Sequence, residues 1–150
     1  MVNKEYIDLI VDKQRTFFNL NSTKDVSFRV EQLNKLKDVI LEYENMIMDS
    51  LYKDLGKSQF ESYSTEVGIV LSEISYALDN IGNWTKVKKV KTPITNFKSK
   101  SYIYPEPYGN VFIISPWNYP FQLTMAPLIG AIAAGNTVLI KPSSSSIHTS

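Results

Sequence analysis

The sequence predicts an α/β fold in which a helical amino-terminal layer precedes part of a parallel sheet. Three observations carry that expectation. Apolar residues recur every three or four positions through the first half of the chain, the spacing of one helix face. Two compact β-branched runs, Asn110–Ser115 and Asn136–Lys141, come later, as buried parallel strands require. Between them lies a helical stretch, Pro120–Ala134, which ends at Gly135. Strand, helix and strand in that order make the crossover unit of a parallel sheet.

Taken in order, Ile7, Leu9, Ile10, Phe17, Phe18 and Leu20 fit an amphipathic helix from about Lys4 to Leu20, and Asn21-Ser22-Thr23 breaks it. Asp25 or Ser27 can cap a second, long helix carrying Val30, Leu33, Leu36, Ile40, Tyr43, Ile47, Leu51 and Leu55 on one face. Gly56 follows its last apolar residue, where a left-handed cap belongs. Ser58-Gln-Phe-Glu61 matches a capping box. It opens a third helix through Val67, Val70, Leu71, Ile74, Leu78 and Ile81 that ends near Trp84. These stripes are read as core. From Thr85 the lysines 86, 88, 89, 91, 98 and 100 surround Thr92-Pro93, which reads as a linker. Ser99–Tyr104 alternates as a strand does, and Pro105 and Pro107 end it. No internal repeat is present.

Composition bounds the function. At 43% hydrophobic and 21% charged residues the chain is globular. A net charge of +1 gives no global field toward nucleic acid, so the lysines of 86–100 read as solvated and no nucleic-acid partner is expected. With no cysteine and a single histidine, His148, these residues offer no thiol nucleophile and no histidine-built metal site. The amino terminus mixes charges and lacks an apolar leader core. The longest weakly polar stretch, Met125–Ile140, is interrupted by Pro127, Gly130, Gly135 and Asn136, so no membrane segment is expected. A cytoplasmic location is the default expectation.

Ligands of open α/β sheets sit beyond the carboxyl ends of the strands. Two segments occupy such ends. Ser115-Pro-Trp-Asn-Tyr-Pro120 places the Asn118 amide between two prolines at a helix start. A fixed amide donor suits an oxyanion hole, and the same residue equally suits a helix cap. Lys141-Pro-Ser-Ser144 places an ammonium at the other strand end, for a nucleotide's ribose or phosphate or simply for water. No G-x-G-x-x-G and no phosphate-binding loop sequence is present.

The stretches Glu106-Pro-Tyr-Gly-Asn-Val-Phe-Ile-Ile-Ser-Pro-Trp-Asn-Tyr-Pro-Phe-Gln-Leu and Pro127-Leu-Ile-Gly-Ala-Ile-Ala-Ala-Gly-Asn-Thr-Val-Leu-Ile-Lys-Pro-Ser143 resemble the aldehyde dehydrogenase superfamily. The motifs E-P-x-G-x-V, P-W-N-[YF]-P and A-x-x-A-G-N-x-V-[LI]-K-P-S stand in that family's order and spacing. The resemblance is closest over 99–143 and extends over 26–98, where it points to the class-3-like branch with fatty and aromatic aldehyde dehydrogenases. It implies an NAD(P)-dependent oxidation of aldehydes to carboxylic acids through a cysteine thiohemiacetal. By the same resemblance Asn118 is the oxyanion donor and Lys141 bonds the cofactor's adenosine ribose. Ser115, Pro116 and Trp117 line the nicotinamide-side cleft, and Tyr119 and Phe121 sit near a substrate tunnel. Residues 1–150 are then the amino-terminal portion of a Rossmann-like cofactor-binding domain, helical over 1–85 and entering the parallel sheet over 109–150. The strand of an oligomerisation hairpin, 93–107, interrupts it, and a homodimer or homotetramer is implied for the complete protein.

One position departs from the pattern. Many members carry a glutamate three residues after the lysine, which selects NAD, and here Ser144 stands there. A neutral hydroxyl does not repel a 2′-phosphate, so either NAD or NADP is expected. The family's cysteine, its general-base glutamate and its catalytic domain lie outside these residues. A truncated, inactive member of the family is therefore the alternative reading. A polypeptide of these 150 residues alone is expected to oxidise no aldehyde with NAD or NADP. Steady-state assays on a mass-verified product check this, and measurable turnover would mean that the nucleophile is misidentified.

Overall fold

The computed structural model describes residues 3–150. Helix α1 spans Lys4–Asn19, with the Asn3 side chain accepting from the Glu5 N–H. A short 3₁₀ turn, Ser22–Lys24, leads to α2, Val26–Glu42. Asp25 caps α2 by accepting from the Ser27 N–H at 2.8 Å. That bond holds the exposed Asp25 carboxyl below the usual carboxylate range.

The long second helix of the sequence reading is two helices. α2 ends at Tyr43, whose backbone (φ −100°, ψ 13°) leaves the helical region, and α3, Glu44–Leu55, follows. The break adds no residue and the apolar stripe runs across it, so spacing alone does not reveal it. Gly56 closes α3 in the left-handed conformation, as expected. The third helix is also composite. α4, Gln59–Ser62, opens under the Ser58 cap. A π-helical turn, Tyr63–Val67, follows, and then α5, Gly68–Trp84. A wide turn shifts the helical register, and here both Glu66 and Val67 become fully buried. Gly68 is where the wide turn closes, and a Cβ there would meet the Tyr63 carbonyl oxygen at 3.0 Å.

The expected linker contains a strand. β1, Lys88–Val90, pairs antiparallel with β2, Ser101–Ile103, and forms an exposed hairpin. β2 lies within the strand expected over Ser99–Tyr104, whereas β1, Lys-Lys-Val, is exposed throughout and has no buried face to betray it. β3, Asn110–Ile114, and β4, Thr137–Lys141, are parallel, with Asn110 opposite Thr137 and Ile114 opposite Lys141. α6, Gln122–Ala134, is the crossover between them. The strand–helix–strand unit thus stands where the sequence places it, although α6 begins two residues after Pro120. Pro127 lies inside α6. Among the described residues no helix is long and apolar enough to cross a membrane.

The main core joins the helical layer to the crossover. Leu33 and Ile40 of α2, Leu51 of α3, Val70, Ile74 and Ile81 of α5, and Phe121, Ile129 and Ala133 around α6 form one buried cluster. Arg29 locks the far end of α6. Its guanidinium donates to the carbonyls of Thr23 (2.6 Å), Lys24 (2.8 Å) and Ala133 (3.2 Å). Gly135 is packed against it, with φ +90° and space so tight that a Cβ would lie 2.7 Å from the Arg29 Cζ. Gly135→Ala is therefore expected to cost about 1–3 kcal/mol from the left-handed backbone alone, with more from the displaced guanidinium. Urea unfolding checks this, and an unchanged midpoint would remove the Arg29–Gly135 contact from the list of constraints on α6.

Candidate functional site

Two strand ends and one turn make the site. The parallel register brings the carboxyl ends of β3 and β4 together, and the Ser115 N–H donates to the Lys141 carbonyl at 3.1 Å. Ser115 is buried and its Oγ has no hydrogen-bond partner among the described residues. Lys141 is exposed, and its ammonium donates only to the neighbouring Pro142 carbonyl at 3.3 Å. A buried hydroxyl without a partner at one strand end and an exposed ammonium at the other suit a polar, phosphorylated ligand, so these residues fit a nucleotide cofactor. Ser144 is exposed beyond Lys141. Past it, Asp54 at the end of α3 accepts the N–H groups of His148 (3.1 Å) and Thr149 (2.8 Å) and the Thr149 hydroxyl (2.7 Å). Burial pushes the Asp54 carboxyl up, but those hydrogen bonds outweigh it and hold the group below its ordinary value.

The turn from Pro116 to Pro120 leads into α6. Pro116, Trp117, Asn118 and Tyr119 are exposed, whereas Pro120 and Phe121 are buried. Of the two aromatics expected at a substrate tunnel, Tyr119 keeps an open face and Phe121 belongs to the main core. Asn118 is not the helix cap that the sequence leaves open. Phe121 occupies the cap position of α6, and no side chain there bonds the first turn. The donors go to Glu66 instead. Its Oε2 accepts the Phe121 N–H at 2.9 Å and the Gln122 N–H at 3.2 Å. Its Oε1 accepts from the Lys57 ammonium. Lys57 in turn lies 4.0 Å from the centroid of the Tyr119 ring, a cation–π contact. Among the described residues the Asn118 amide carries no recorded hydrogen bond, so its donors are free.

Glu66 and Lys57 escape the sequence reading. A usable signal was present, because Glu66 stands four residues before Val70 and eight before Ile74 on the apolar stripe of the third helix. A carboxylate on a core stripe demands partners. Lys57 stands nine positions before it, but the N–H partners come from residues more than fifty positions away, and no local pattern names them.

Comparison with known proteins gives the family. The model of the aldehyde dehydrogenase family matches residues 1–150. The 4,4′-diaponeurosporen-aldehyde dehydrogenase of Staphylococcus aureus is 58% identical over 129 residues, which is 86% of this chain and 28% of that protein. The dimeric, NADP-preferring aldehyde dehydrogenase of Canis lupus familiaris is 43% identical over 138 residues, 91% of this chain and 30% of that protein. The solved structure of a substrate-bound aldehyde dehydrogenase, AldH of Staphylococcus aureus, superposes with a TM-score of 0.91 at 51% identity, covering 99% of this chain and 32% of that one. The chain thus spans under a third of the length of the relatives it matches. It belongs to the aldehyde dehydrogenase family, which uses NAD or NADP, and it counts family 3 members among its relatives.

Proposed function

We propose that this chain forms the oxyanion and nucleotide side of an NAD(P)-dependent aldehyde dehydrogenase, with Asn118 as the donor that receives the aldehyde oxygen. The observation that carries the reading is the division of labour at the start of α6. Glu66 takes the helix's first free N–H groups, which leaves the Asn118 amide on an exposed, proline-flanked turn with its donors unspent. Addition of a nucleophile to an aldehyde builds negative charge on the carbonyl oxygen. A preset amide N–H stabilises that charge without reorganising. The nucleophile itself lies outside these residues, which contain no cysteine. A bound nicotinamide would supply the hydride acceptor for the oxidation. Lys141 holds the nucleotide through its ribose, Ser115, Pro116 and Trp117 border the nicotinamide-side cleft, and Tyr119 presents its open face to the substrate, backed by Phe121.

We assign residues 1–85 and 109–150 to the start of the cofactor-binding domain. The β1–β2 hairpin, which includes part of 93–107, is the candidate oligomerisation element. Its exposed Ile94 and Phe97 support that use, and the dimeric relative supports a homodimer or homotetramer for the whole protein.

In the full-length protein, Asn118→Ala is expected to lower kcat about 10²–10³-fold, the usual loss for one oxyanion donor. The aldehyde KM should change much less, because the bond strengthens mainly in the transition state. A kcat near the wild-type value would withdraw the oxyanion assignment. Ser144→Glu is expected to shift preference toward NAD by setting a carboxylate against the 2′-phosphate of NADP. The ratio of kcat/KM for NAD over NADP measures this, and an unmoved ratio would mean that the 141–144 segment does not face the ribose.

A further inference from the structure

We propose that Glu66 is a positioning residue for the Asn118 turn and that Lys57 completes it, so that one buried ion pair fixes the oxyanion donor from behind. The inference rests on the reading of Asn118 given above and extends it to residues with no part in binding. Four contacts carry it. The Glu66 carboxylate, fully buried, receives the Phe121 and Gln122 N–H groups at 2.9 and 3.2 Å. Lys57, also buried, donates to the other carboxylate oxygen. The same ammonium lies over the Tyr119 ring at 4.0 Å. The turn bearing Asn118 is therefore held on its carboxyl side at three points, Tyr119, Phe121 and Gln122, by two side chains that touch each other.

Among the described residues no side-chain bond holds the exposed Asn118, so its position follows from the backbone on either side. On the amino side that backbone is anchored by the Ser115 N–H on the Lys141 carbonyl. On the carboxyl side it is anchored by Glu66. Stability alone does not call for such a pair, because well-packed apolar residues commonly replace a buried ion pair without loss. What an apolar pair cannot do is fix the direction of two N–H groups and one ring together. An oxyanion donor needs placement within a fraction of an ångström, and a misplacement of about 1 Å costs roughly 10²-fold in rate.

The test is a mutant cycle in the full-length protein at saturating aldehyde and nucleotide. Glu66→Gln keeps the shape and one acceptor oxygen but removes the charge that orders Lys57. It is expected to lower kcat about 10- to 100-fold while both KM values stay within about twofold. The double variant N118A/E66Q is expected to be no slower than Asn118→Ala alone, because a donor that is absent cannot be misplaced. A residue with a merely structural role would move melting temperature and active fraction, and would leave neither the kcat-against-KM split nor the non-additivity. If Glu66→Gln does not fold, K57M/E66Q, which buries no lone charge, carries the same expectation. Wild-type kcat in whichever variant folds, or losses that multiply in the double variant, would overturn the proposal while Asn118 kept its role. Wild-type kcat in Asn118→Ala would overturn both.

Discussion

The crossover helix α6 is held at its two ends by opposite charges from the helical layer, and the position of everything at the strand ends depends on that hold. Glu66 stands at the amino terminus of α6 and Arg29 at its carboxyl terminus, on the Ala133 carbonyl. The helix dipole is positive at its start and negative at its end, so each charge sits where the field favours it. Each also satisfies backbone groups that a helix end leaves bare. Burying either ion costs several kcal/mol. Glu66 offsets that cost with Lys57 and two N–H groups. Arg29 does so with three carbonyls, and burial draws its pKa below the ordinary guanidinium value. α6 is nearly all apolar between its ends, and a helix of that kind packs well in more than one rotation. The charged ends select one.

From α6 the constraint passes to the sheet. Asn136, just past the helix, accepts the Gly109 N–H at 2.9 Å, and the Thr137 N–H donates to the Gly109 carbonyl at 2.8 Å. These bonds set the first rung of the β3–β4 ladder. The last rung then falls at Ile114 and Lys141, which fixes Ser115 beside Lys141. The amino-terminal helix joins from the other side, where the Gln14 amide donates to the Val138 carbonyl at 2.8 Å. The site is thus a consequence of where a helix ends, several steps removed from any residue that touches a ligand.

How much of this was legible follows from the range of the interactions. Gly56, the Ser58 cap and the strand–helix–strand unit all depend on local sequence, and the sequence reading finds each of them, with Asp25 as one of two candidate caps for α2. The break at Tyr43 leaves the apolar stripe in phase and escapes notice. β1 escapes because it is short and exposed on both faces, so no alternation marks it. The π-helical turn escapes because it leaves Glu66 and Val67 at ordinary helical spacing from Val70 and Ile74, so the stripe runs on without a visible break. Asn118 remained ambiguous in the sequence for a related reason. Whether it capped α6 depended on whether another group had already done so, and that group lies 52 positions earlier in a separate helix.

The filled start of α6 also bears on where a dinucleotide can lie. In the usual doubly wound arrangement the diphosphate rests on the amino terminus of the first crossover helix, over a glycine-rich turn that lets the backbone approach. Here the N–H groups at that terminus are committed to Glu66, and the carboxylate that commits them is negative. A phosphate brought to the same place would lose its donors and meet a like charge. Asp54 spends the N–H groups of His148 and Thr149 in the same manner beyond β4. The lack of a G-x-G-x-x-G motif in the 109–141 unit is then a matching feature and no defect, because a glycine-rich turn serves only where a phosphate is to sit. Among the described residues, what this unit would offer a nucleotide on the reading proposed above is side-chain contact at the strand ends, from Lys141 and Ser115. On the proposed reading a cofactor would be held here by its ribose and its nicotinamide side, with its diphosphate left to groups beyond this unit.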